Sequence, residues 1–187
     1  MILSITGPSG VGKTTLMRNL LQALPKATPL TSVTTRAPRP TDEPGEYEYV
    51  SQAEFDARSE RGVFLWEVRP HGKCYATAQK TIDEALEGRD VFIAPLLISA
   101  VGALLAYAAT KGASDAVHAM YLWIESPQEL RARFYNRGDM SDEEIEGRLE
   151  ECRSWNAEAK NSLLPFIFLK ATQTPEEIAA NALATLK

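Results

Sequence analysis

The sequence predicts an α/β fold: a mostly parallel sheet covered by helices on both faces. Three observations predict it. Short apolar runs alternate with segments of helical period along the whole chain. Two of those runs, 91–93 and 119–124, are almost continuously apolar, as strands covered on both faces are. The first run feeds through a glycine-rich turn directly into an amphipathic helix. With 187 residues and an apolar fraction of 44%, the chain makes one compact domain with a filled core. A net charge of −5 excludes a global basic field for nucleic acid. Cys74 and Cys152 form no C-x-x-C pair, so neither a disulfide framework nor a zinc site is expected, and a reducing, cytoplasmic setting fits. Met1 leads straight into a strand, so no signal peptide is expected.

Residues 1–6, Met-Ile-Leu-Ser-Ile-Thr, read as the first strand. Gly7-Pro8-Ser9-Gly10-Val11-Gly12-Lys13-Thr14-Thr15 follows and fits G-x-x-x-x-G-K-[ST]. Leu16, Met17, Leu20, Leu21 and Leu24 then form a helical stripe that Pro25 ends. Strand, glycine loop and helix together make a phosphate cradle. Glycines admit backbone N–H groups around a phosphate chain without Cβ clashes. The helix N-terminus adds partial positive charge. Lys13 reaches the β- and γ-phosphates, and the Thr14 hydroxyl is the candidate Mg²⁺ ligand. The expected ATP-binding set here is Gly7, Ser9, Gly10, Val11, Gly12, Lys13, Thr14 and Thr15.

Residues 31–40 start as a strand and end where prolines forbid regular pairing. Arg36 and Arg39 flank Pro38, a candidate anion clamp because guanidinium forks match phosphate oxygens. Residues 41–45 are turn-rich, and 46–50 alternate like a half-buried strand. Ser51 and Glu54 form a capping box before a short helix. Residues 63–68 and 74–77 read as strands on either side of a turn at 71–73. Residues 79–87 form a helix that Gly88 ends.

Residues 91–110 carry no charge and match a membrane span in length, but Pro95 and Gly102 interrupt them. They read instead as a buried strand and an apolar helix near 99–109. Residues 119–124 are the next core strand. A capped, proline-started helix from Ser126 carries Arg131, Arg133 and Arg137 and stops at Gly138. Ser141 caps another, with Ile145, Arg148, Leu149 and Cys152. Residues 165–169 give a last strand, and Thr174 opens a closing helix.

Taken in order, the phosphate loop, Ser32-Val33-Thr34-Thr35-Arg36-Ala37-Pro38-Arg39, the Ser51-x-x-Glu54-Phe55 segment, Tyr75-x-Thr77 and Arg133-x-x-x-Arg137-Gly138 resemble the guanylate kinase family over nearly the whole chain. The resemblance implies a P-loop NTPase fold with inserted segments: core 1–30, 85–125 and 161–187, an NMP-binding segment 31–84 and a lid 126–160. It implies that Arg36, Arg39, Tyr47 and Tyr75 hold the acceptor phosphate and that Ser32 and Thr77 face the acceptor base. Arg133, Arg137 and Arg148 would come from the lid, with Arg133 and Arg137 also touching ATP. Lys13, Arg39, Arg137 and Arg148 are then the catalytic set. Arg131 has no counterpart in the motif and reads as a solvated helix position. The implied partners are ATP with Mg²⁺ and a phosphorylated acceptor, GMP or dGMP first, with neither nucleic acid nor membrane; the chain would act as a monomer or homodimer.

Three departures bear on the acceptor. The family's base-reading glutamate falls on Trp66 in a gapless alignment, whereas Glu67 serves if the following hairpin is one residue shorter. The family's Asp-x-Asp strand end is replaced by Ala94-Pro95-Leu96, which weakens guanine selection. Lys170-Ala171-Thr172 replaces Asn-Asp near the donor base, and Ala76 replaces the glycine of Tyr-Gly-Thr. Two alternatives stand beside GMP phosphorylation: ribose 1,5-bisphosphate phosphokinase, and a catalytically weak binding module of guanylate-kinase type.

Overall fold

The computed structural model describes residues 1–138 and 140–186, and leaves the side chains of His71 and Arg137 undescribed. Its centre is a five-stranded parallel sheet in the order β2-β7-β1-β8-β9. The strands are β1 (Ile2–Thr6), β2 (Ala27–Pro29), β7 (Val91–Pro95), β8 (Val117–Trp123) and β9 (Ile167–Lys170). β1 is flanked on both sides, Leu3 lying opposite Ile93 on β7 and His118 on β8. Its side chains alternate between two cores. Leu3 and Ile5 join Leu16, Met17 and Leu20 of α1 (Lys13–Ala23) and Ile178 and Ala182 of α7 (Pro175–Ala184). Ile2 joins Ala100, Val101 and Leu104 of α4 (Ile98–Thr110) on the other face. α4 is thirteen residues long, and no helix among the described residues is long and apolar enough to cross a membrane.

A second, four-stranded sheet has the order β4-β3-β6-β5. It comprises β3 (Ser32–Thr34), β4 (Tyr47–Tyr49), β5 (Phe64–Val68) and β6 (Tyr75–Ala78). α2 (Gln52–Glu60) covers one face, where Phe55 packs with Val33, Cys74 and Ala76. The other face turns toward the phosphate loop and the start of α4, with Ser32 and Trp66 on one wall of a shared cavity and Leu96 and Ala100 on the opposite one. Between Phe64, opposite Ala78, and Trp66, opposite Thr77, the pairing steps by two residues on β5 and one on β6. Leu65 is the extra residue of this bulge.

α3 (Gln79–Glu87) links this sheet to β7. Gly88 ends it with φ of −73°, not in the left-handed form expected of a terminal glycine. α5 (Pro127–Arg137) ends instead at left-handed Gly138, φ 70°. α6 (Asp142–Asn161) starts on a reciprocal capping box, Ser141 with Glu144, and α7 on another, Thr174 with Glu177. At Ser51 and Ser126 the serine oxygens accept from the backbone N–H of Glu54 and Glu129.

Candidate active site

The phosphate loop leaves β1 at its C-terminal edge and enters α1. Gly12 occupies the N-cap position with φ of 110°, a conformation open to glycine. At Gly10, φ is 80° and an added Cβ would lie 2.6 Å from the Phe134 ring, so the loop rests on an α5 side chain with no room for more. Phe134 is fully buried. Phe134→Ala should cost about 3–5 kcal/mol of stability and raise the ATP KM, as read by thermal melting and initial rates. The Lys13 ammonium donates to the carbonyls of Gly7 (2.6 Å) and Pro8 (2.8 Å), which arch it over the loop.

Across the cleft stand Arg36 and Arg39. Arg36 is buried and forks onto Asp42, both guanidinium–carboxylate bonds being 2.8 Å. Its Cζ lies 4.6 Å from the Tyr47 ring centre, a cation–π contact that fixes the plane of the guanidinium. Asp42 also accepts from the Tyr49 hydroxyl (2.6 Å) and the Arg39 backbone N–H (2.7 Å). Burial pushes the Asp42 carboxyl up, but the bonds from Arg36, Tyr49 and the Arg39 backbone outweigh it and hold its pKa at about 2. Glu46 is buried, accepts from the Glu43 backbone N–H at 2.9 Å, and has its pKa raised by burial. Burial and the neighbouring Glu46 push the Tyr47 phenol well above its ordinary value, which keeps it a hydrogen-bond donor.

One cleft therefore gathers Ser9, Gly10, Gly12, Lys13, Thr14 and Thr15 opposite Arg36, Arg39, Tyr47 and Tyr75. Lys13, Tyr47 and Tyr75 also line the adjoining cavity that holds Ser32 and Trp66. A second hollow, beside Gly10, Val11 and Gly12, is bounded by Arg133, Ala171 and Gln173. Arg133 ties its two sides together by donating to the carbonyls of Val11 and Ala171.

Glu67, Thr77 and Arg148, expected at the site, do not line the cleft. Glu67 does not face the cleft: it is exposed, accepts from Ser59 of α2 at 2.6 Å, and pairs with Arg69. The cause is the bulge at Leu65, which sets Trp66 on the cleft face beside Thr77 and turns Glu67 to the α2 face with Ala76. Thr77 is fully buried behind Ser32, the two hydroxyls being 3.2 Å apart. Thr77 thus touches the cleft through Ser32. Arg148 lies on α6 and donates to Glu151 at 3.0 Å, outside the residues that line the cleft. Arg137 closes α5, and its side chain lies outside the described residues. Arg131 pairs with Glu146, as a surface residue would. Asp42, Glu46 and Pro95 line the cleft without having been singled out in the sequence. Asp42 carries no periodic signal; a turn folds it back onto Arg36, six residues earlier.

A family model described as guanylate kinase matches residues 1–163. A guanylate kinase of Aromatoleum aromaticum is 39% identical over 150 residues, covering 79% of this chain and 70% of the relative. One from Thermotoga maritima is 36% identical over 151 residues, covering 80% and 70%. The crystal structure of a guanylate kinase from Anaplasma phagocytophilum superposes with a TM-score of 0.69 at 21% identity, covering all of this chain and 84% of that one, which agrees with the fold. With arginines and tyrosines facing the glycine loop across one cleft, the match over most of the sequence establishes that this chain belongs to the guanylate kinase family.

Proposed function

We propose that the chain transfers the γ-phosphoryl group of ATP to the phosphate of GMP or dGMP, giving ADP and GDP or dGDP. The observation that carries this reading is Lys13 standing in one cleft with Arg36, Arg39, Tyr47 and Tyr75. Such a cleft holds two anionic substrates end to end, which is most of what phosphoryl transfer asks of a protein. The bond from the γ-phosphorus to the bridging oxygen breaks, and one forms to an oxygen of the acceptor phosphate. That oxygen is already ionised near neutral pH, so no side chain needs to remove a proton. The two carboxylates of the cleft are engaged otherwise, Asp42 on Arg36 and Glu46 on the Glu43 backbone.

Lys13 would hold the β- and γ-phosphates, while the loop N–H groups and the N-terminus of α1 neutralise charge around them. Arg36 and Arg39 would grip the acceptor phosphate, with phenol donors Tyr47 and Tyr75. Arg133 borders the hollow beside the loop, in keeping with a donor-base contact. We assign 31–84 to acceptor binding and 126–160 to a lid whose closure brings Arg137 and Arg148 toward the transferring group and excludes water.

Mg²⁺ fits as part of the nucleotide. Among the described residues no cluster of three or more His, Cys, Asp or Glu gathers as a metal cage, while the exposed Thr14 hydroxyl opens α1 at the phosphate cleft. When bound, the ion would neutralise phosphate charge, and Thr14 would be the protein side chain that holds it. Two buried thiols, Cys74 and Cys152, both free, suit a cytoplasmic setting, and monomer and homodimer are both compatible with the reading.

Steady-state rates with ATP, Mg²⁺ and GMP test the function; absence of GDP formation would overturn it, and turnover of ribose 1,5-bisphosphate instead would establish the alternative. Arg39→Ala should raise the KM for GMP on the order of tenfold or more while leaving the KM for ATP nearly unchanged. Equal effects on both would remove Arg39 from the clamp.

A further inference from the structure

A cavity adjoins the phosphate cleft and shares Lys13, Tyr47, Tyr75 and Pro95 with it. It holds about 190 Å³ and is walled by Trp66, Val68, Leu96, Leu97 and Ala100, with Ser32 at its polar side. Among the described residues that line it there is no carboxylate. The nearest candidate in sequence, Glu67, is turned to the α2 face and bonded to Ser59. The Ser32 hydroxyl already shares a hydrogen bond with Thr77. Tyr47 and Tyr75, the remaining hydroxyls, also line the phosphate cleft. Guanine presents N1–H and a 2-amino group as donors along one edge. Away from the Lys13, Tyr47 and Tyr75 side that it shares with the phosphate cleft, the lining offers them apolar side chains and the Ser32 hydroxyl.

We propose that Trp66 is a specificity-determining residue that accepts the base by its aromatic face, and that the donor edge of guanine goes unread. The inference rests on the nucleoside-monophosphate kinase reading and narrows it: the substrate class is purine monophosphates, with shallow discrimination among their edges. A site that hydrogen-bonds a substrate donor rejects the analogue lacking it by roughly 10⁴-fold or more, whereas an apolar pocket separates close relatives by only about 10- to 200-fold. Trp66 is 8% exposed and belongs to the core cluster of Ile2, Leu30 and Leu96, so its ring is held in place before any ligand arrives.

The test compares GMP, IMP (which lacks the 2-amino group) and AMP (whose edge is reversed) as acceptors of the wild-type protein, by kcat/KM and by calorimetric Kd. GMP and IMP should agree within about tenfold and GMP and AMP within about 200-fold. Trp66→Ala should raise the KM of all three by roughly 5- to 100-fold, with their ratios and the KM for ATP unchanged, and Trp66→Phe should restore most of the loss. Trp66→Phe also serves if the alanine variant fails to fold. A GMP preference of 10³-fold or more over IMP, or an unchanged acceptor KM in a folded Trp66→Ala, would overturn the inference and leave the kinase reading standing. Binding of all three without turnover would sink the kinase reading, and the Kd ratios would still decide the selectivity. If none of them binds, both fail.

Discussion

Lys13→Ala should abolish turnover, with a fall in kcat of at least about 10²- to 10³-fold, and leave the melting temperature close to that of the wild type. The side chain is half-buried and bonds the carbonyls of Gly7 and Pro8, which hold the ammonium over the cleft. No apolar contact of the core depends on it, since the face of α1 that packs inward is Leu16, Met17 and Leu20. The loop's shape is set by Gly10, Gly12 and the Phe134 ring, all of which remain. The charge that follows the γ-phosphoryl through transfer is lost, while the cradle is kept. Coupled-assay rates beside a circular-dichroism melt separate the two effects. A variant with wild-type kcat would remove Lys13 from the chemistry, and one that fails to fold would give it a structural role.

Arg36→Ala should be costly in two ways. Removing the guanidinium strips Asp42 of two 2.8 Å bonds and leaves its carboxylate with the Tyr49 hydroxyl and the Arg39 backbone N–H. Breaking a buried pair of this kind costs about 3 kcal/mol or more, and the acceptor KM should rise on the order of 10²-fold as the clamp loses its buried arm. The pair also sets an acid limb. The Asp42 pKa is depressed to about 2, so its contribution to stability is complete above the ordinary carboxylate range and is lost as pH falls through about 2. Melting temperatures measured from pH 7 downward should show that drop in the wild type. In Arg36→Ala it should shrink, because the strongest depressing bond is gone. An identical acid limb in both proteins would show that other carboxylates carry it.

The main elements were legible because period and punctuation agreed. The stripe Leu16, Met17, Leu20 after Gly12 predicts α1, and the serine or threonine oxygens before α2, α5, α6 and α7 predict where each begins. The strand β2 escaped, because Ala27, Thr28 and Pro29 carry no alternation and join the sheet by pairing with β7. In the cleft, the loop residues and Arg36, Arg39, Tyr47 and Tyr75 were readable from spacing and resemblance. Asp42 was not, since its partnership with Arg36 is made by a turn with no repeating pattern. The facing of Trp66 and Glu67 was undecidable in one dimension, because strand alternation has a phase and a bulge resets it.

That reset makes chain length a determinant of chemistry. β5 and β6 are joined by residues 69–74, and the extra residue lies inside the strand at Leu65. Were one residue lost from the connection and the strand regularised, Glu67 would fall opposite Tyr75 and Trp66 would turn toward α2. A single-codon deletion in that connection would then exchange an indole for a carboxylate in the cavity. The side chain presented to the cavity is thus set by the length of the connection as well as by substitution, and a comparison that counts only substitutions would miss such a change.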